Sequence, residues 1–138
     1  MGYEILEHTA DVKFRATGDS LEEAFEDVVR AFSELSSEGT KGNTRHKVEV
    51  KSENSEALLF DFLDELIFLQ ETEGIAIGEP KELSIEDSEG EYSLEATVYA
   101  DAIDPGATIM DIKAPTYNEM KVDYVQGEGW IVEAVLDI

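Results

Sequence analysis

The first candidate for chemistry is divided between the two ends of the chain. Near the start, His8-Thr9-Ala10-Asp11 is a polar cluster that runs into an apolar, alternating segment; at the other end Asp137 is penultimate and Ile138 brings a main-chain α-carboxylate. Those two carboxylates would sit side by side at one strand end. With Asp11 opposite them, three hard oxygen donors would converge. Such donors suit Ca2+, Mg2+ or Mn2+, and carboxylates crowded this way are unfavourable without a cation. An Asp at a strand end also serves to cap a turn, so spacing alone leaves both readings open. The second candidate is Lys113, in Asp111-Ile112-Lys113-Ala114-Pro115-Thr116-Tyr117. A lysine inside a strand-like apolar stretch, in a chain with only 10 Lys and Arg, points to a role. The competing reading is a surface lysine paired with one of the many carboxylates.

Other chemistries lack their residues. Neither GxGxxG nor GxxxxGK[ST] occurs, so no phosphate-cradling loop is visible, and no GxSxG elbow supports a serine nucleophile. The chain has no cysteine, which excludes disulfide scaffolds, thiolate zinc sites and cysteine catalysis. Of the two histidines, His46 alternates on a strand-like segment with no recognisable partner and reads as structural or exposed. The 33 Asp and Glu against 10 Lys and Arg leave a net charge of −23. Tight sequence-independent binding to nucleic acid comes from cations that displace phosphate counterions, so direct nucleic-acid binding is not expected. Docking on anionic membranes is disfavoured for the same reason. No apolar run reaches the roughly 20 residues of a membrane span. No signal peptide is visible at the start, and the expectation is a cytoplasmic protein.

The elements that must hold these residues can be read from hydrophobic spacing. The 138 residues suit one domain, 1–138, with 42% hydrophobic residues to fill a core. Val12, Phe14 and Ala16 alternate with Lys13 and Arg15 as a half-buried strand. Gly18-Asp19 turns the chain, and Ser20 with Glu23 forms a capping box for a first helix. That helix aligns Leu21, Ala24, Phe25, Val28, Val29, Phe32 and Leu35 on one face, with Gly39 beyond its end. A loop over 39–44 leads to a strand through His46, Val48 and Val50. A second helix opens near Asn54 or Ser55, carries Leu58, Leu59, Phe62, Leu63, Leu66 and Ile67 inward, and ends at Gly74. Phe60, Phe68 and Leu69 widen its stripe, which makes it the more buried helix. The rest is β-rich: a short strand at Leu83 and Ile85, one through Tyr92–Ala100, a turn at Asp104-Pro105-Gly106, and strands near Ile109–Lys113, Met120–Val125 and Trp130–Asp137. Nine carboxylates against the single Lys81 in residues 71–95 read as a solvated edge hairpin guarded by charge. Two amphipathic helices among strands without regular βαβ alternation predict an α+β fold with a mainly antiparallel sheet.

Together these segments resemble the archease family. The resemblance runs from Glu7-His8-Thr9-Ala10-Asp11-Val12 through Gly18-Asp19-Ser20-Leu21-Glu22-Glu23-Ala24-Phe25 and Leu58–Leu66 to Ile112-Lys113-Ala114-Pro115-Thr116-Tyr117 and the terminal Trp130–Ile138. It covers essentially the whole chain in order. It implies a protein cofactor of the RtcB-type RNA ligase, acting in tRNA splicing and RNA repair by promoting ligase guanylylation and multiple turnover, and not itself an enzyme. Carried over position by position, Asp11, Asp137 and the Ile138 carboxylate match the family's metal-binding positions, Lys113 matches a lysine needed for activation, and His8 is placed beside the metal ligands. Family members usually carry His where Asn118 stands here, so no role passes to that position. Pro115 replaces a more usual aliphatic residue.

Two other classes compete. A metal-dependent hydrolase would use the same carboxylates, although no nucleophile or general base accompanies them. An acidic chaperone-like interaction protein would work through bulk charge, and neutralising Asp11 alone would barely affect it.

Overall fold

A computed structural model describes residues 11–37, 42–103 and 111–138. Along the chain lie β1 (Asp11–Gly18), α1 (Leu21–Ser37), β2 (Thr44–Ser52), α2 (Ser55–Glu73), β3 (Ile75–Ser88), β4 (Glu91–Ala102), β5 (Ala114–Val125) and β6 (Gly129–Asp137). The strands form two antiparallel sheets of three, ordered β1-β6-β5 and β2-β4-β3. The fold is α+β as expected, with the antiparallel strands divided between two sheets. Each helix touches both sheets: α1 packs on β1 and β3, and α2 on β5 and β2.

Local signals explain the helix ends. The Ser20 hydroxyl accepts the Glu23 N–H at 3.1 Å. The Glu23 carboxylate accepts the Asp19 N–H at 3.1 Å, one residue earlier than the reciprocal bond of a capping box. A Cβ on Gly18 would lie 2.4 Å from the Ala24 nitrogen, so only glycine lets β1 turn this closely into α1. At α2 the Asn54 side-chain oxygen accepts the Ala57 N–H at 2.8 Å. Gly74 closes that helix in the left-handed region, φ 63°.

One contiguous core joins Phe14 and Ala16 of β1, the inner faces of both helices, and alternate residues of β2, β4 and β6. Phe25 and Phe62 meet at its centre, with ring centroids 5.8 Å apart. Among the described residues no helix is long and apolar enough to cross a membrane.

Several expectations change. Phe68 does not join the buried stripe of α2; it is 56% exposed, and Phe60 and Leu69 are half-buried, because the inner side of α2 is already filled by Leu58, Leu59, Phe62, Leu63, Leu66 and Ile67. The short strand at Leu83 and Ile85 is the outer part of a 14-residue β3, which continues into a two-residue turn, Glu89-Gly90, with both φ positive. Glu71 and Glu73 belong to the last turn of α2, and the other seven carboxylates lie on this hairpin, whose β3 is a sheet edge. Of the strand expected over 109–113, the described residues 111–113 have no regular structure, and pairing starts at Ala114, well before Met120. His46 does have a partner, its Nε2 lying 3.0 Å from the Thr44 hydroxyl. His8, Gly39 and the turn at 104–106 lie outside the described residues.

Candidate functional site

The site forms where β6, the middle strand of its sheet, runs out at Asp137. Asp11 stands directly opposite Asp137 on one side, and Ala114 stands opposite it on the other. The Lys113 N–H donates to the Asp137 carbonyl at 2.8 Å, which ties the segment before β5 to the same sheet end. The sequence-predicted residues Asp11, Lys113 and Asp137 are therefore brought together from three segments, and all three are exposed.

The Asp11–Asp137 pairing has a physical consequence. Directly opposite residues of an antiparallel pair share a sheet face, with Cβ atoms about 4.5–5.5 Å apart, and like charges there repel. A divalent cation would turn this repulsion into shared coordination. The donors are all hard oxygens, which fits Ca2+, Mg2+ or Mn2+ and not a metal that prefers thiolate or imidazole. Among the described residues no three His, Asp or Glu side chains cluster closely enough to hold a metal. The expected set has two such side chains, with the main-chain carboxylate of Ile138 as the third donor. The Ile138 side chain is half-buried against the core. Among the described residues no carboxylate lies within ion-pair distance of the Lys113 ammonium.

Two neighbouring features were not legible as site elements in the sequence. Further along β6, Glu133 is only 8% exposed although it points away from the helices. Arg15 Nε lies 2.7 Å from it and Lys13 Nζ 3.9 Å. The hydrogen bond from Arg15 holds its carboxyl below the usual range against the opposing effect of burial, helped by the charges of Arg15, Lys13 and Lys121. The alternation of Lys13 and Arg15 along β1 was the available signal; their partner became visible only once β6 lay beside β1.

The second feature is an excursion of β5. Its ladder pairs Thr116 with Val135 and resumes with Lys121 opposite Glu133, so residues 117–120 of β5 bulge out of the pairing. Glu119 takes a left-handed φ of 59°, unfavourable for a residue with a Cβ, and reaches Lys13 at 3.5 Å. The Asn118 N–H donates to the Thr116 hydroxyl at 3.1 Å. The Tyr117 ring lies flat on Phe60 of α2, centroids 4.3 Å apart and planes 7° from parallel. Partial burial, and then the nearby Asp61 carboxylate, push the Tyr117 hydroxyl above its ordinary value.

A family model described as the archease protein family (MTH1598/TM1083) matches residues 3–138. The chain belongs to the archease family. It is 36% identical over 140 residues to the archease of Pyrococcus furiosus, covering 99% of this chain and 98% of that protein. It is also 36% identical over 140 residues to the archease of Methanosarcina mazei, covering 99% and 95%. The solution structure of Methanobacterium thermoautotrophicum protein 1598 superposes with a TM-score of 0.78 at 28% identity, covering 99% of this chain and 96% of that one. A crystal structure of the Thermotoga maritima archease, described as a possible chaperone, shares the fold with a TM-score of 0.62 at 22% identity, covering 100% and 98%.

Proposed function

We propose that this archease-family protein activates an RtcB-type RNA ligase in tRNA splicing and RNA repair, promoting ligase guanylylation and multiple turnover without catalysing ligation itself. The observation that carries the reading is the meeting of Asp11, Asp137 and Lys113 at one exposed sheet end. The carboxylates of Asp11 and Asp137, with the α-carboxylate of Ile138, would hold a divalent ion. Bound there, the ion would supply positive charge and open coordination positions for oxygen ligands of the partner's site. The chain's own residues do the rest. β1, β6 and the Lys113–Asp137 backbone bond hold the main chain that bears the carboxylates and the lysine at one sheet end. The ammonium is a compact point charge suited to a carboxylate or a nucleotide phosphate of the ligase.

The net charge of −23 supports the same reading. An acidic protein that serves RNA processing is steered to the basic, RNA-binding side of its partner and must leave as RNA enters. That favours a transient, salt-sensitive complex in which one activator serves many ligase molecules.

The test is multiple-turnover ligation by a purified RtcB-type ligase with GTP and divalent metal, with and without this protein. Wild type should restore repeated turnover, and Lys113→Ala should abolish it with stability changed by no more than about 0.5 kcal/mol, as for other exposed substitutions. Stimulation by Lys113→Ala equal to wild type would remove Lys113 from the role. Hydrolysis of phosphoesters by the protein alone would favour the hydrolase instead.

A further inference from the structure

The outer side of α2 carries aromatic groups that the core does not use. Phe60, Asp61, Asp64 and Phe68 recur on it at helical spacing. Phe68 is 56% exposed, and Tyr117, whose ring covers Phe60, is 55% exposed. Two parallel rings and a third aromatic side chain thus stand outside the buried core.

In the same segment β5 leaves its ladder and Glu119 adopts φ 59°, so the chain bears local strain two residues from Tyr117. Carboxylates lie between the rings. Asp61 accepts the Ser52 hydroxyl at 2.6 Å, and among the described residues no cation pairs with Asp61, Asp64 or Glu65. Tyr117 lies on the helix side of the sheet, whereas Asp137 shares the outward side with Glu133; along β5 it follows Ala114, the register partner of Asp137, by three residues. At strand spacing that is about 10 Å.

We propose that this aromatic and acidic face is the docking surface for the ligase, and that it receives an arginine-bearing patch from the ligase's RNA-binding side. The inference rests on the activator reading above and adds the surface that supplies affinity. A guanidinium is planar; it stacks on an aromatic ring and bonds carboxylates through its edge. The Tyr117 ring has one face on Phe60 and can offer the other, with Asp61 and Asp64 alongside. Lysine lacks the flat π surface that such a stack uses, and an anionic partner would meet unpaired carboxylates. Aromatic anchors at the centre of an interface typically dominate its affinity. The sheet end with Lys113 then determines how far the ligase is activated, and the α2 face determines how tightly it is held.

The experiment titrates a purified RtcB-type ligase with wild type, Tyr117→Ala, Phe68→Ser and Asp64→Lys, each checked for fold by circular dichroism and thermal melting. The readouts are the activator concentration for half-maximal stimulation and direct binding by anisotropy. Tyr117→Ala and Asp64→Lys should raise the half-maximal concentration at least tenfold, and Phe68→Ser should raise it severalfold. Lys113→Ala should instead lower the plateau with binding retained. Asp64→Lys should also flatten the salt dependence of binding. If wild type stimulates the ligase and all three α2-face variants match it in half-maximal concentration, the docking surface is overturned and the activator role stands. If wild type neither binds nor stimulates the ligase, both readings fail. Phe68 and Asp64 are exposed on a helix, so their variants keep the proposal testable even if Tyr117→Ala disturbs the excursion of β5.

Discussion

Asp11 and Asp137 oppose each other in register, and their behaviour should depend on metal in opposite directions. Without metal, Asp11→Asn removes a cross-strand repulsion and should stabilise the protein by up to about 1 kcal/mol. With Ca2+, Mg2+ or Mn2+ present, wild type should gain stability and the variant should not. Thermal melts with and without chelator, joined to calorimetric titration, read both effects. A short C-terminal extension, which displaces the Ile138 carboxylate, should weaken metal binding too; unchanged affinity in both proteins would remove the metal from this site. Glu133 supplies a second residue-level test. Its folded pKa is lowered, chiefly by the hydrogen bond from Arg15. Its stabilising contribution is therefore complete above the unfolded carboxylate value, about 4.3, and is lost as pH falls through the lower folded value. Glu133→Gln should cost about 1 kcal/mol at neutral pH, since Arg15 is largely solvent-exposed and screened. The gap to wild type should close as denaturation is repeated at lower pH, and a gap that widened on acidification would contradict the assignment.

At the scale of elements, α2 is the piece on which both the core and the proposed docking face depend. Its inner side meets α1 through Phe25 and Phe62, both fully buried. Phe62→Ala should cost about 3–5 kcal/mol, the usual range for deleting a buried aromatic ring. Asn54→Ala should cost about 1 kcal/mol, because the Ala57 N–H loses its acceptor. Chemical denaturation of the two variants checks both values. A Phe62→Ala cost no larger than that of Asn54→Ala would mean that the centre of the core lies elsewhere.

For the whole molecule, charge acts twice and with opposite sign. A net charge of −23 makes the folded chain repel itself, and salt screens that repulsion. Raising NaCl from about 0.05 M to about 1 M, over which the Debye length falls from more than 10 Å to about 3 Å, should raise the thermal midpoint. The same salt should weaken the complex with a basic ligase. The isolated protein should show no tRNA binding at about 0.15 M salt, because it has too few cations to release phosphate counterions. Anisotropy at low micromolar protein checks the last point, and a melting temperature that falls with salt would contradict the first.

Much of this protein was legible in one dimension, for a physical reason. Helix caps and amphipathic stripes are local: Asn54, Gly74 and the Phe25–Phe32 face declare themselves through residues three or four positions apart. The alternation in β1 and β4 was local in the same way. The motifs at Asp11, Lys113 and Asp137 marked candidates and, through their resemblance to the archease family, suggested the role proposed for each. Non-local pairing decided the rest. Spacing cannot tell that Asp11 faces Asp137 across more than a hundred residues, that the strands divide into two sheets, or that Glu133 collects Arg15 and Lys13. Hydrophobicity misplaced Phe68, because a helix buries only as many side chains as its neighbours leave room for. Alternation missed the excursion of β5, where residues 117–120 leave the ladder and Tyr117 stacks on Phe60, more than 50 residues earlier in the chain.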